Sequence, residues 1–159
     1  MSWLRALMLL ALITWIGGII FFSFVLAPTV FTVLPTVELA GNVVSRSLTA
    51  LHWMGLVSGV IFLLASLTLN WKSHAQAKPF AASHILVLVM LVLTAISQFA
   101  ITPRMRVLRH EMGAMENVSH SDEHRMEFDR LHAWSTRAEG GVFFCGLIVV
   151  VLTARRFGD

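Results

Sequence analysis

Residues 6–34 read ALMLLALITWIGGIIFFSFVLAPTVFTVL, a run without a charged side chain. A helix crosses the roughly 30 Å hydrocarbon core of a bilayer with about 20 apolar residues, so this run is long enough to span. It is too long for the core of a cleaved leader. Leu26 and Ala27 lead straight into Pro28 rather than into a small-residue cleavage site. The segment is therefore read as a retained helix, bent and ended by Pro28 and Pro35. Thr36 then N-caps a short helix. Its apolar face is Val37, Ala40, Val44, Leu48 and Leu51, and its polar face is Glu38, Asn42, Ser45 and Thr49.

Charge-free runs continue outward from there. Residues 51–71 and 79–102 form a second and a third span, the latter containing no charge at all apart from its flanks. The run at 140–154 is short, so the fourth span borrows from the residues before it and is placed at 133–154. Arg137 and Glu139 then lie at headgroup depth or pair inside the bundle, because a charge at mid-membrane costs about 2.5–3.5 kcal/mol on insertion scales. Of the 159 residues, 57% are hydrophobic and 13% charged, and mean hydropathy is +0.76. Soluble domains carry roughly 25% charged residues. Thirteen of the charged side chains fall within residues 104–139, and the first 103 residues hold only Arg5, Glu38, Arg46, Lys72 and Lys78. The chain is a hydrophobic body with one polar insertion at 104–132, a single membrane domain over 1–159. This excludes a disordered chain. The net charge of +3 is read as membrane orientation, with no nucleic-acid partner. One cysteine excludes a disulfide scaffold and a CxxC motif.

Lysine and arginine density sets orientation. Arg5, Lys72, Lys78, Arg155 and Arg156 crowd short segments on one side of the bilayer, so both termini are expected in the cytoplasm and the polar insertion outside. Trp3 and Trp71 fall at the inner edges, and Trp53 and Trp134 at the outer ones, where an aromatic belt belongs; Trp15, within the first span, is the exception. Small and polar residues mark packing faces: Thr14, Gly17 and Gly18; His52, Gly55, Gly59, Ser66 and Asn70; Thr94, Gln98 and Thr102. These faces serve helix packing or, alternatively, a polar path through the bundle.

The outer end collects chemistry. His52 begins the second span, Arg46 precedes it, and Arg104 follows Pro103 at the end of the third. His132, Ser135 and Glu139 share one face of the fourth helix. Imidazole and carboxylate suit copper or another soft metal, and two facing imidazoles suit haem b. An anionic small ligand, or mutual pairing of these groups, is the alternative. His120 and His124, spaced i, i+4 among methionines, form a second candidate metal pair. Cys145 lies mid-span without a charge to activate it and is read as packing. No phosphate loop, nucleophile elbow or carboxylate pair points to an enzyme.

The order Trp15-Ile16-Gly17-Gly18, Phe21, Phe22, Phe24, Leu26-Ala27-Pro28, Phe31 and Leu34-Pro35 resembles the opening of the transmembrane-protein-205-like family, known in bacteria as domain of unknown function 4149. Ala40-Gly41, His52, Ile101-Thr102-Pro103-Arg104, and Leu131-His132 with Ser135 continue the likeness, from about residue 10 to about residue 137. The resemblance implies a four-helix integral protein, in bacteria one of the inner membrane. It singles out Trp15, Gly18, Pro28, His52, Pro103, Arg104 and His132. The family is associated in general terms with metallodrug tolerance in animals. The Met/His-rich insertion is not part of the family pattern.

The sequence thus predicts an all-α, four-helix integral membrane bundle whose fourth helix extends on the outer side. The expected function is to bind or help move a small ligand, a soft metal ion first, at Arg46, His52, Arg104, His132, Ser135 and Glu139. Alternatives are an accessory or assembly subunit docking on another membrane protein or on a second copy, and a bis-histidine haem redox protein.

Overall fold

The computed structural model describes residues 2–73, 78–113, 118–119 and 121–158, and their side chains except at 72, 73, 78–81 and 156–158. Helix α1 (Ser2–Phe21) passes through a π-helical segment (Phe22–Leu26) into α2 (Ala27–Val33); α3 is Val37–Ser73. Helix α4 (Lys78–Ile96) passes through a second π segment (Ser97–Ile101) into α5 (Thr102–Met112), and α6 is Glu123–Gly158. These elements make four rods, Ser2–Val33, Val37–Trp71, Ala82–Met112 and Glu123–Arg155, each long and apolar enough to cross a membrane. No strand occurs among the described residues. Helix α1 packs on α3, α3 on α4, α4 on α6 and α6 on α1, closing a four-helix ring. The fold is the all-α bundle the charge gaps predict.

Neither Pro28, expected with Pro35 to bend and end the first helix, nor Pro103, placed at the end of the third span, stops its helix. The chain stays helical through Pro28 as far as Val33, and through Pro103 as far as Met112. Proline inside an α-helix loses a hydrogen bond and clashes with the carbonyl four residues back. Here each proline follows a π turn, in which Ala27 N–H donates to Phe22 O and Thr102 N–H to Ser97 O. The wider turn makes room for the ring. Pro35 does end its helix: Leu34 is extended (φ −80°, ψ 142°), as the residue before proline prefers. Thr36 Oγ1 then accepts from Leu39 N–H at 3.2 Å, but the helix it caps runs on unbroken into the second span. Gly113 (φ 63°) terminates α5, and Asp122 Oδ1 caps α6 by accepting from His124 N–H at 2.9 Å.

The interior is a stripe from each rod. Leu4, Met8, Leu12, Trp15 and Ile19 of α1 meet Leu51, Phe62, Ala65 and Leu69 of α3, with Val87, Met90, Val142 and Val149 completing the cluster. The outside is apolar as well: Leu10, Ile13, Phe24, Val60, Leu64, Val92 and Phe144 all stand exposed. A surface of this kind needs hydrocarbon as its solvent. Trp15 is buried because Gly55 and Gly59 leave room for its indole, and a Cβ at either glycine would overlap the ring. Of the thin patch expected on α1, only Gly18 packs, against Leu51 and Met54; Thr14 and Gly17 are exposed.

The two halves repeat one plan. At equal distances before the π segments, Leu12, Trp15 and Ile19 match Val87, Met90 and Thr94, all buried. Pro28 and Pro103 follow at the same place. Counted from His52 and His132, Gly55, Phe62, Ser66 and Leu69 of α3 match Ser135, Val142, Gly146 and Val149 of α6, again all buried. The histidines themselves differ: His52 is buried and His132 exposed.

Candidate functional site

His52 sits on α3 where that helix faces both α6 and the second π segment, and it is 1% exposed. Its Nε2 lies 2.7 Å from Glu139 Oε1 and its Nδ1 lies 3.0 Å from Gln98 Oε1. One side chain thus ties together three of the four rods. A ring protonated at both nitrogens donates to both partners. A neutral ring donates through Nε2–H to the carboxylate and accepts at Nδ1 from the Gln98 amide once that amide is turned. Gln98 reaches this place through the π turn. Residues four apart overshoot a straight line on an α-helix by about 40°. The π turn advances less per residue, so Thr94, Gln98 and Thr102 all stay buried.

Beside this chain of hydrogen bonds, a cavity of about 400 Å³ opens between the first π segment and α2 on one side and α3, α5 and α6 on the others. Its walls are mostly apolar, with Phe22, Phe31, Val44, Leu48, Met105 and Phe128 prominent. Glu139 closes the floor beside His52, with Ser135 and His132 on the same face of α6. His132 stacks parallel on Phe128, ring centroids 6.4 Å apart.

The mouth is cationic. A second space of about 460 Å³ is lined by Arg46, Arg106, Arg109 and His110 together with Glu38 and Asn42. It shares Glu38, Ser45, Arg106 and Arg109 with the apolar cavity. Arg109 Cζ lies 5.3 Å from the centre of the Phe128 ring, a cation–π contact. A Cβ on Gly41 would lie 3.1 Å from that guanidinium carbon, so the absence of a side chain there lets Arg109 lie against α3. Arg106 Nη2 donates to Thr49 Oγ1.

The expected site residues are thus distributed as follows. His52 and Glu139 are in contact, Ser135 and His132 line the same cavity, and Arg46 lines the adjoining space. Arg104 is elsewhere: it makes a two-pronged bond to Glu127 at 2.8 and 2.7 Å on the exposed surface. Arg137 lies over Trp134 at 5.4 Å and faces outward. His124 is exposed, 3.8 Å from Glu111 and 3.7 Å from Asp122. Its expected metal partner His120 lies outside the described residues. Among the described residues no group of three or more His, Cys, Asp or Glu side chains is placed to hold a metal ion, and both nitrogens of His52 are already engaged. A metal ion or haem iron at His52 would have to displace one of these partners, Glu139 or Gln98.

Gln98, Arg106, Arg109 and Gly41 were not expected at the site. Arg106, Arg109 and His110 recur at i, i+3 and i+4, which places them on one helical face; that spacing is the sequence signal that finds them. Gly41 has none, because its role depends on a guanidinium from another helix.

A family model described as Domain of unknown function (DUF4149) matches residues 10–114. No curated protein matches the chain, and no solved structure does.

Proposed function

The chain belongs to the family described as Domain of unknown function (DUF4149), and from that premise we propose that it binds a small, largely apolar ligand in the cavity between α2, α3, α5 and α6. In this reading it is an integral protein of the bacterial inner membrane with both termini in the cytoplasm, and the cavity lies toward the outer face. The relation to the transmembrane-protein-205-like family belongs to the same proposal, since it draws on Leu131, His132 and Ser135, beyond the matched segment. The observation that carries the proposal is the cavity of about 400 Å³ with apolar walls and, at its floor, the Glu139 carboxylate, which His52 and Gln98 hold from behind. Pockets for small ligands span about 300–1,000 Å³ and pair apolar walls with a few placed polar groups. An organic ligand replaces the metal ion as the expected cargo, because filling the space requires apolar contact.

Native mass spectrometry of the full chain in mild detergent tests this. The expected result is one bound small molecule per chain, lost in Leu48→Trp, whose indole fills the cavity. A chain without any adduct, whose melting temperature no apolar small molecule raises, overturns it.

A further inference from the structure

The cationic space at the mouth specifies more than size. We infer that the occupant is a single-chain amphiphile with an anionic head: its hydrocarbon fills the apolar cavity and its phosphate or carboxylate sits among Arg46, Arg106 and Arg109. This rests on the cavity being a ligand site, as proposed above.

Charge is the first ground. Three arginines line the outer space against one acid, Glu38. None of the three makes a salt bridge among the described residues, whereas Arg104 pairs with Glu127 and Arg125 with Asp129. One carboxylate among three guanidinium groups leaves an excess of positive charge, and an anion relieves the remaining repulsion. Geometry is the second ground. Arg106 is held by Thr49, and Arg109 is clamped between Phe128 and the bare backbone of Gly41. A fixed guanidinium is suited to two-pronged bonds with phosphate or carboxylate.

Continuity is the third. Glu38, Ser45, Arg106 and Arg109 border both spaces, so a molecule can occupy them together. A bare inorganic anion would leave the apolar cavity unfilled, and a plain hydrocarbon would leave the arginines uncompensated. The floor sets direction: Glu139 repels a second anion there, so the head stays at the mouth and the tail points inward toward Ser135 and Phe22.

The test uses the full chain in nanodiscs of phosphatidylcholine, with dodecyl phosphate as probe and dodecanol and inorganic phosphate as comparisons, read by native mass spectrometry and melting temperature. Dodecyl phosphate is expected to bind one per chain, more tightly than dodecanol, and to remain bound when equimolar inorganic phosphate is added. Arg46→Gln combined with Arg106→Gln is expected to weaken it about tenfold or more, the effect of losing a hydrogen bond to a charged group. Arg46 is exposed and makes no side-chain hydrogen bond among the described residues, so Arg46→Gln alone is expected to keep the fold and to show part of the loss.

Unchanged affinity in both arginine variants overturns the inference, the effect then being interfacial charge only. Displacement by equimolar phosphate also overturns it, since the site then takes a free anion. If dodecanol binds as tightly as dodecyl phosphate and Leu48→Trp abolishes both, the head-group inference fails and the cavity reading stands. If Leu48→Trp binds dodecyl phosphate as well as the parent does, the cavity reading itself fails.

Discussion

His52 shows how one side chain can organise a membrane interior. An imidazole between helices in hydrocarbon must find partners for both nitrogens, because no water replaces them. Glu139 and Gln98 supply those partners from two other rods, at 2.7 and 3.0 Å. Removing the ring leaves a mostly buried carboxylate without its donor. His52→Ala is therefore expected to lower unfolding stability by about 1.5–3 kcal/mol, the range for hydrogen bonds to charged groups. Glu139→Gln, which still offers an amide oxygen to Nε2–H, is expected to cost less. Reversible denaturation in mixed micelles measures both, and equal costs for the two variants would contradict the assignment. Trp15 answers to the same level of description. It departs from the interfacial belt because Gly55 and Gly59 accept its indole in the core, and no headgroup is involved.

Among the elements, α1 and α3 are in contact through that pair of glycines. Helix association in lipid gains nothing from the hydrophobic effect and depends on close packing, so an added methyl acts on the contact directly. Gly55→Ala is expected to destabilise by about 1–3 kcal/mol through overpacking. A Cβ at Gly17, by contrast, meets nothing within 4 Å. Gly17→Ala is expected to leave stability unchanged or raise it by about 0.5–1 kcal/mol, because alanine is the better helix former. Melting both variants in the same detergent gives the contrast directly, and like-signed shifts of similar size would show that the α1–α3 contact is not set by these glycines. At the other end, Arg104 and Glu127 link α5 to α6 on the exposed surface, a tie of little energetic weight.

Over the whole molecule, the four rods were legible because charge is absent where lipid must be met: residues 6–34 and 79–102 need no further argument. The outer-side extension of the fourth helix was expected too, and α6 carries it back to Glu123. The π segments were not, since Phe22–Leu26 and Ser97–Ile101 have the composition of ordinary apolar helix, and Pro28 therefore read as part of a bend and Pro103 as the end of a span. Half the site was readable from His52, His132, Ser135 and Glu139 falling at one end. The rest depends on three-helix coincidences, Gln98 against His52 and Arg109 against Gly41, that no local pattern encodes. The wide turns also have a consequence for length variation. Each accommodates a surplus residue, since five residues of a wide turn cover about the rotation of four in an α-helix. Deleting Ala100 would therefore leave Arg106 and Arg109 facing the cavity mouth, and its cost would fall on Pro103, whose ring would meet the carbonyl of a regular turn. A shortened chain that still retains dodecyl phosphate yet melts below its parent is the expected outcome. The reverse result, an unchanged melting temperature with the amphiphile lost, would show that the turn itself aims the cationic mouth.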